Sequence, residues 1–540
     1  MKLNAQEYKN TEQWTKAGFT TPKFDREKVI ANTRERPVWV HFGAGNIFRA
    51  YPATRWQQLL DEGLEDTGII VAEGFDYEIV DAVFKPHDNL SVTVTLKANG
   101  TIEKTLVGSM VEALKVDSGH ADFVRLKEIF RAPSLKMVSF TITEKGYSLL
   151  QGDKLSPVVE SDFKKGPTAP ESYIGKLAAL VYERYLAGKL PLALVSMDNC
   201  SHNGTRLYDS VRAFAFEWAK AELADKEFLN YVESPEHLSF PWSMIDKITP
   251  RPDDSVKQML LDSGFEDVEA TITSRHTYVA PFVNAEETEY LVIEDHFPNG
   301  RPAMDRTGVI FTARETVDKM EKMKVCTCLN PLHLTMAVFG CPLGFTKISD
   351  EMKDPDILRL VEIIGYDEGL PVVVDPGIVK PRDFLDECIK VRFPNPFMPD
   401  TPQRIAVDCS QKFSIRFGET IKTYMAREDL DVQSLVLIPL TIAAWCRYML
   451  AVDDNGKPFE ISPDPRYDEL SAYLKGIGIG SPGPFHDALC PILSDAHLFG
   501  VDLYEVGLGE RIEGYFAEMV DGVGAIRRTL HKYVEAHDKA

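Results

Sequence analysis

Short apolar runs alternate with turn residues along the first half of the chain. Pro37–Phe42 is an apolar run that predicts a buried strand, and it leads directly into the glycine-containing segment Gly43–Asn46. Helical periodicity follows over Ile47–Asp61, and Gly68–Glu73 is a second strand-like run. A strand, a glycine turn, a helix and a strand in this order predict the opening of a doubly wound α/β domain, a Rossmann-like fold.

The apolar runs that follow predict further strands. Residues 90–96 alternate apolar and polar side chains, and an Asn-Gly turn leads into residues 101–107, which is the pattern of a β-hairpin. Leu135–Ile142 and Leu192–Met197 are typical of central strands, and each is followed by polar residues. Because ligands of open α/β sheets bind at the carboxyl ends of the strands, we expect the chemistry at these polar ends.

Helical patterns replace the strand patterns from about residue 313 onward. A segment rich in proline and glycine, residues 294–302, precedes the change. The sequence predicts a Rossmann-like domain over residues 1–310, with residues 1–36 as a polar extension, and a mainly α-helical domain over residues 311–540. The helical patterns of the second domain lie at Arg314–Lys324, Pro331–Gly340, Pro355–Ile364, Ser434–Leu450, Tyr467–Lys475 and Glu510–His537.

The charge and apolar content limit the partners. Lys and Arg total 60 against 82 Asp and Glu, which gives a formal net charge of −22. Such an acidic chain repels phosphate backbones and anionic lipid, so we expect neither nucleic acid nor a membrane as a partner. The longest apolar stretch, Leu435–Cys446, is too short to span a bilayer, which takes about 20 residues. The N-terminus lacks the apolar core of a signal peptide, so we expect a cytoplasmic protein.

The cysteine and histidine patterns indicate no metal site. The eight cysteines form no CxxC pair, and the CxC of Cys326 and Cys328 has no second pair at zinc-finger spacing. We interpret all eight as reduced thiols that are mostly small buried residues. The chain also has no HExxH motif, so we predict that it binds no metal. The helical patterns show no obvious exposed apolar face, which favours a monomer.

The glycine loop, Gly43–Asn46, follows a strand and opens a helix. Gly43 and Gly45 would let the backbone approach a pyrophosphate, and the helix start supplies N–H groups and positive potential. The third glycine of the usual dinucleotide fingerprint is absent, since Phe48 occupies its position. Two interpretations remain, a dinucleotide site or a structural tight turn. Arg49 likewise either reaches a phosphate oxygen or lies solvated on the helix.

Two carboxylates follow the second predicted strand. Glu73 and Asp76 are candidates to accept hydrogen bonds from the ribose of an adenosine, which would favour NAD over NADP. Both lie further from the glycine loop than the usual ~20 residues, so the intervening helix or its loop must be longer. The alternative is that either one is a surface carboxylate.

The segment that contains Lys324 and His333 is the most informative in the chain. Pro331 suits the first position of a new helix, which makes Asn330 its N-cap, as a structural cap or a ligand. His333 then lies in the first turn, where the dipole favours a neutral imidazole that donates to a substrate hydroxyl. A straight helix would place Lys324 and Asn330 on different faces, so we expect the chain to break between them. A lone lysine is usually solvated, but a desolvated Lys324 beside a nicotinamide would have a lowered pKa and act as a general base.

These motifs together resemble the mannitol dehydrogenase family, the polyol-specific long-chain dehydrogenases/reductases. The matching segments run in the family's order: His41–Ala50, Ile142–Tyr147, Ser196–Gly204, Asp246–Pro250, Val292–Pro298, Lys324–His333 and Arg404–Lys412. The resemblance implies NAD as the cofactor and a small-molecule substrate. It is strongest to the members that act on D-fructuronate and D-mannonate.

The resemblance also implies roles for individual residues. Lys324 is the general acid/base, although polyol members usually have one residue fewer between this lysine and the asparagine. The assignment therefore assumes a one-residue bulge, and Lys322 is the alternative. Asn199 and Asn330 resemble the amide pair that holds the reacting oxygen. The cofactor-binding positions are Gly43, Gly45, Asn46, Ile47, Phe48, Arg49, Glu73, Asp76, Glu144 and Asp246.

The substrate-binding positions implied by the resemblance are His333, Arg404 and Lys412. Lys145 stands where polyol members tend to carry glycine. A cation at this strand end, with Arg404 and Lys412, suits a substrate carboxylate.

The implied activity is a metal-independent hydride transfer between NAD and a sugar acid that interconverts D-fructuronate and D-mannonate. Other substrates remain open: the epimeric tagaturonate, or neutral polyols such as mannitol and arabinitol, against which Lys145 argues. A redox-neutral isomerase that retains NAD is an alternative of another class. A non-catalytic NAD-binding module is a further alternative, but Lys324, Asn199 and Asn330 occurring together argue against it.

Overall fold

A computed structural model describes residues 1–539 of the chain. The chain divides into two compact units, Met1–Asp318 and a second that begins at Lys319. The first unit has a parallel sheet covered by helices, and the second is mainly helical. The predicted fold class is therefore confirmed.

The centre of the first unit is a six-stranded sheet in which every pairing is parallel. In spatial order its strands are Leu238–Ser239, Leu192–Ser196, Met137–Phe140, Trp39–Phe42, Ile69–Glu73 and Met110–Lys115. Numbered along the chain, the strands lie in the order 3-2-1-4-5-6, which is that of the Rossmann fold. The order reverses between the first and fourth strands, so their carboxyl ends frame the point at which such sheets bind ligands.

Helices cover both faces of this sheet because its central strands are buried on both sides. Trp39 of the first strand packs edge-to-face on Trp56 of a covering helix on one side. The helices of the first unit are Ala5–Tyr8, Thr11–Lys16, Arg26–Glu35, Asn46–Ala50, Pro52–Asp61, Ala121–Arg131, Thr143–Gly146, Pro157–Lys165, Tyr173–Leu186, Asn203–Lys220, Glu227–Glu233 and Asp254–Asp262. The helix predicted over Ile47–Asp61 is thus two helices, which meet at Tyr51 ahead of Pro52.

The predicted β-hairpin is present, but it lies outside the parallel sheet. Ser91–Leu96 and Ile102–Val107 pair antiparallel, with Leu96 opposite Ile102. They belong to a four-stranded sheet that also contains Phe19–Thr20 and Phe282–Glu286. The N-terminal extension is therefore structured, since it supplies one strand of this sheet. The remaining strands of the first unit are Leu150–Gln151, Lys154–Leu155, Ser243–Asp246, Thr271–Ile272, Tyr278–Val279, Tyr290–Glu294 and Ile310–Thr312.

The second unit is built around Leu437–Tyr448, a helix buried along its whole length. It packs against Asn330–Leu343 and Gly509–Val520. An apolar surface on every side is what a core helix requires. The α-helices from residue 314 onward are Arg314–Lys322, Asn330–Leu343, Ile348–Glu351, Pro355–Glu362, Pro381–Glu387, Pro402–Ile405, Glu419–Ala426, Leu437–Tyr448, Tyr467–Tyr473, His486–Leu493, Ala496–Phe499, Gly509–Val520 and Ala525–Asp538.

One helix prediction in this unit is wrong. The pattern over Glu510–His537 predicts a single helix, whereas the structure has two that are separated by a turn. Gly524 in that turn has a φ of +75°, a conformation that ends regular helix. The Asp454 carboxylate then accepts the N–H groups of Ile526 and Arg527 and starts the second helix.

Two π-helical turns of the second unit matter for the site. The first, Met323–Cys328, is called here the lysine turn because it contains Lys324. The second, Ser414–Gly418, is called the arginine turn because it contains Arg416. The two turns pack against each other. Such wide turns insert a residue into a helix and occur frequently at functional sites.

One helical stretch within residues 1–539, Arg314–Leu343, is long and apolar enough to cross a membrane by length and composition alone. Of its most apolar window, 78% is buried inside the structure. Burial of this extent is typical of the core helix of a soluble protein.

Candidate functional site

The glycine loop lies at the switch point of the parallel sheet. Gly43 has a φ of +105°, and its N–H donates to the carbonyl of Ala72 at 2.9 Å. A Cβ at Gly43 would overlap the carbonyl oxygen of Thr141, so the neighbouring strand end leaves no room for a side chain. A Cβ at Gly45 would meet nothing within 4 Å. The backbone at Gly45 therefore faces open space, as a loop that receives a pyrophosphate requires.

This difference between the two glycines gives a matched pair of variants. Gly43→Ala forces a Cβ against Thr141 and a strained φ, so we expect a lower melting temperature and loss of NADH binding. Gly45→Ala should fold with nearly unchanged stability, because its Cβ would contact no other atom of the protein. It should bind NADH more weakly, because the Cβ would occupy the space beside the backbone that the pyrophosphate needs. Thermal unfolding and titration of NADH fluorescence measure the two effects. Equal stability of both variants would contradict the packing assigned to Gly43.

The helix that follows the loop is anchored by buried side chains. Phe48 is fully buried and stacks on the His41 ring with the centroids 3.7 Å apart. Arg49 is also fully buried and donates to the Ala280 carbonyl at 2.7 Å and to the Asn46 side chain at 2.9 Å. Burial lowers the pKa of Arg49 to about 9. The alternative of a solvated Arg49 is therefore wrong, and its contact with a phosphate stays a prediction, as do the roles of Ile47 and Phe48.

The two carboxylates after the second strand are buried and bonded within the protein. Glu73 accepts N–H groups from Ala44 at 2.9 Å, Phe75 at 2.7 Å and Asp76 at 2.9 Å. It therefore ties the glycine loop to the turn after its own strand, and burial raises its pKa. Asp76 accepts the hydroxyl of Thr273 at 2.5 Å. The surface-carboxylate alternative is wrong for both, and their contact with a ribose stays a prediction.

Asp198 holds the turn that follows the fourth strand of the parallel sheet. Its carboxylate accepts the N–H groups of Ile142 and Thr143 at 2.8 Å each and the hydroxyl of Tyr147 at 2.5 Å. These bonds hold Thr143 at a φ of +64° and fix the turn after the fourth strand. Asn199, the next residue, is exposed at the end of the fifth strand.

The remaining candidates of the first unit differ in their exposure. Glu144 and Lys145 are both exposed on a four-residue helix, and Glu144 forms an ion pair with Arg206 at 3.0 Å. Asp246 is buried and ends the strand Ser243–Asp246. The part of Lys145 in a carboxylate clamp stays a prediction.

The two candidate general bases, Lys324 and Lys322, differ in their solvent exposure. Lys324 is 1% exposed, whereas Lys322 lies at the exposed end of the preceding helix. The N–H of Leu329 donates to the carbonyl of Lys324 at 3.1 Å, which is the five-residue hydrogen bond of a π-helix. This π-helical turn contains one residue more than an α-helical turn, so it corresponds to the one-residue bulge that the assignment of Lys324 assumes. Burial makes Lys324 the better candidate for a desolvated base.

The helix after the lysine turn begins one residue earlier than predicted. Asn330 is its first residue and Pro331 its second, while Leu329 occupies the cap position without a side-chain cap bond. The predicted N-cap role of Asn330 is therefore wrong. The physical reason is that the lysine turn leads through Leu329 directly into the next helix. That helix therefore does not begin at a loop residue whose side chain caps it.

His333 is enclosed by the helical unit. Its Nε2 lies 3.9 Å from an Asp400 carboxylate oxygen, and its ring lies 4.6 Å from that of Phe393. Burial lowers the pKa of His333 to about 3, against the opposing effect of Asp400. Three arginines also lower it: Arg404, Arg392 and Arg416. A pKa this low favours the neutral imidazole, and its causes are burial and the nearby cations.

The two predicted anion-binding residues, Arg404 and Lys412, lie close enough to act on each other electrostatically, and Arg404 also acts on His333. Arg404 binds Asp400 with two hydrogen bonds, from Nε at 2.7 Å and from Nη2 at 2.9 Å. Lys412 donates to the main-chain carbonyls of Ile405 at 3.1 Å and of Val407. Burial lowers the pKa of Lys412 to about 8, with a further contribution from Arg416. The structure thus brings His333, Arg404 and Lys412 together in one unit.

Sequence reasoning did not assign Asp400 or Arg416 in the second unit, nor the role of Asp198 in the first. Asp400 and Arg404 are four residues apart, as are Lys412 and Arg416, which is the spacing of neighbours on one helix face. That spacing is a signal by which Asp400 and Arg416 could have been found. Asp198 lies within the matching segment Ser196–Gly204, yet its role depends on a neighbouring strand that sequence does not reveal.

Residues 1–539 contain no cluster of three or more His, Cys, Asp or Glu side chains that could hold a metal ion. His202, three residues after Asn199 in the sequence, stacks on Trp242, and its Nε2 lies 3.2 Å from an Asp318 carboxylate oxygen. All eight cysteines are free thiols, and five of them are buried.

Comparison with known proteins identifies both halves of the chain. Family models match residues 38–306, as "Mannitol dehydrogenase Rossmann domain", and residues 316–478, as "Mannitol dehydrogenase C-terminal domain". A D-mannonate oxidoreductase of Thermotoga maritima is 53% identical over 100% of both chains. A D-mannonate oxidoreductase of Escherichia coli is 28% identical over 84% of this chain and 92% of its own. Among solved structures, the Pseudomonas fluorescens mannitol 2-dehydrogenase ternary complex with NAD and D-mannitol is 25% identical, covers 99% of this chain and 100% of its own, and gives a TM-score of 0.74.

Proposed function

Since the chain belongs to the mannitol dehydrogenase family, we propose that it is an NAD-dependent oxidoreductase that interconverts D-fructuronate and D-mannonate. The observation that carries this proposal is the 53% identity, over the whole of both chains, to a D-mannonate oxidoreductase. The substrate is a small sugar acid, and the reaction oxidises or reduces one of its CH–OH carbons.

The first unit has the features that an NAD site needs. The Rossmann strand order, the tight turn at Gly43 and the open backbone at Gly45 fit a bound dinucleotide. Gly43, Gly45 and Asn46 would lie against the pyrophosphate, with Glu73 and Asp76 toward the ribose. The related solved structure holds NAD. When bound, the cofactor supplies or accepts the hydride at the reacting carbon.

The residues of the chain handle the proton and the developing charge. Lys324 donates a proton to the carbonyl oxygen during reduction and removes it during oxidation. The amides of Asn199 and Asn330 donate hydrogen bonds to that oxygen, whose negative charge grows in the transition state. Because the lysine ammonium balances this charge, the proposed mechanism needs no metal ion.

The surroundings of His333 favour an acid substrate over a neutral one. Arg416 and Lys412 are half-buried cations of this unit, and Arg416 acts on both His333 and Lys412. Half-buried cations suit a carboxylate. The neutral polyols therefore remain the weaker alternative. The epimeric tagaturonate carries the same carboxylate and is distinguished only by experiment.

A substrate panel tests the proposal. We expect D-fructuronate with NADH to give the highest kcat/KM among D-fructuronate, D-tagaturonate, D-fructose and D-xylulose, each assayed with NADH and with NADPH. The absorbance at 340 nm should fall as D-fructuronate is consumed, whereas a redox-neutral isomerase would form product without this change. A higher kcat/KM for D-fructose than for both uronates would contradict the proposal.

We also propose that the protein is a cytoplasmic monomer without a nucleic-acid or membrane partner. Its acidic charge disfavours those partners. Light scattering coupled to size-exclusion chromatography should give a mass near 60.7 kDa.

A further inference from the structure

Lys412 and Arg416 form a pair of half-buried cations in the second unit. Lys412 donates to the main-chain carbonyls of Ile405 and Val407, and Arg416 donates through Nη1 to the carbonyl of Asn330 at 3.2 Å. In the part of the chain that the structure describes, the hydrogen bonds of both groups end on neutral carbonyl oxygens. Arg404 differs, because its charge is matched by two hydrogen bonds to Asp400.

Two neighbouring cations that are partly removed from water destabilise the folded protein. Burial lowers the pKa of Arg416 to about 10, and burial with the charge of Arg416 lowers that of Lys412 to about 8. Partly desolvated charges of like sign are unfavourable unless an anion accompanies them. A carboxylate between or beside them would restore the balance and accept charge-assisted hydrogen bonds.

The position of this pair connects it to the proposed catalytic residues. The N–H of Arg416 donates to the carbonyl of Lys412 at 3.0 Å, so the two residues are neighbours across one helical turn of the backbone. The arginine turn packs on the lysine turn, and Thr420 contacts the Cys326 carbonyl at 3.4 Å. An anion bound by the pair would therefore lie next to Asn330, where the proposed substrate binds.

We infer that Arg416, acting with Lys412, binds the carboxylate of the substrate and selects a sugar acid over a neutral ketose or polyol. The inference rests on the proposed function, which it extends by naming the residue that recognises the acid. It also changes the predicted clamp, because Arg416 takes the place of Arg404, whose guanidinium is held by Asp400.

The test compares two substrates that differ at one carbon. D-fructuronate has a carboxylate where D-fructose has a hydroxymethyl group. We expect Arg416→Gln to raise KM for D-fructuronate about 10- to 100-fold, as loss of a charge-assisted hydrogen bond predicts, with a much smaller change in kcat. The kcat/KM for D-fructose should stay within about threefold of the wild type. Arg416→Lys, which keeps the charge, should recover part of the affinity.

A matched control is Lys422→Ala, which removes an exposed cation that pairs with Glu419 at 2.8 Å in the following helix. It should leave both substrates unaffected. An equal loss for D-fructuronate and D-fructose in Arg416→Gln would overturn the inference, because Arg416 would then act by holding the Asn330 carbonyl. An unchanged KM for D-fructuronate in a folded Arg416→Gln protein would overturn it as well.

Direct binding separates this inference from the proposed function. D-mannonate should raise the melting temperature of the wild type in the presence of NADH, and D-mannitol at the same concentration should not. Arg416→Gln, or Arg416→Lys if the glutamine variant does not fold, should lose most of the shift. A wild type that binds D-mannonate in this way but turns over no uronate would refute the proposed reaction while supporting the role of Arg416. An equal shift in wild type and variant would refute that role.

Discussion

Replacing Lys324 by alanine should lower kcat for D-fructuronate by about 10²- to 10⁴-fold, the usual contribution of a positioned proton donor. Lys324 is 1% exposed in the lysine turn, so bulk water has little access to replace its ammonium group. NADH binding should remain nearly intact, because Lys324 is not among the predicted cofactor-binding positions, which run from Gly43 to Asp246. Steady-state kinetics and NADH fluorescence titration measure the two quantities.

Lys322→Ala is the matched control for this experiment. Lys322 precedes Lys324 by two residues but is exposed, so its loss should change kcat less than twofold. If Lys324→Ala kept more than about 1% of the activity and Lys322→Ala did not, the general acid/base would be Lys322. A strong loss of NADH affinity in Lys324→Ala would instead indicate a structural role for the lysine.

Glu368→Ala should cause the largest loss of stability among the variants considered. Glu368 is buried, and its carboxylate accepts the N–H groups of Val436 at 2.7 Å, Leu437 at 2.7 Å and Ile438 at 2.8 Å. These are the first N–H groups of the central helix of the second unit. Leaving them without an acceptor in the interior should cost about 3 kcal/mol or more and lower the melting temperature by roughly 10 °C. Asp367→Ala, at the exposed neighbouring residue, should change it by less than about 2 °C.

The same carboxylate predicts a pH dependence of stability. Burial raises the pKa of Glu368 to about 7, from 4.5 for a free glutamate side chain. Between these values the folded state binds more protons than the unfolded state, so the contribution of Glu368 to stability falls as pH rises. Relative to Glu368→Gln, which does not titrate, the wild type should lose melting temperature from pH 5 to pH 8. A constant difference across this range would contradict the raised pKa.

Much of the first unit followed from local sequence patterns. The run Pro37–Phe42, the glycine loop and the second strand predicted the Rossmann opening, because apolar runs and glycine turns are set by nearest neighbours along the chain. The break at Gly524 was missed, although the glycines around it were visible. Helical periodicity continues across such a turn, and only the contact with Asp454 shows where the second helix starts.

The candidate site was predicted in part, since the segment around Lys324, Asn330 and His333 stood out by composition and resemblance. The choice between Lys324 and Lys322 needed the structure, because exposure depends on what packs against a turn. The engagement of Arg404 by Asp400 and the contact of Arg416 with Asn330 likewise could not be read from residue types alone.

The sequence by itself determined the two opening strands of the first unit, the glycine turn between them, the helical character of the second unit and the residue types available for chemistry, since these depend on short stretches of chain. Tertiary structure alone decided which acceptors each charged group finds. Glu73, Asp76 and Arg49 turned inward to bond with the protein, while Lys412 and Arg416, within residues 1–539, donate their hydrogen bonds to carbonyl oxygens. The physical reason is that desolvation and pairing of a charge depend on distant segments that folding brings within a few ångströms.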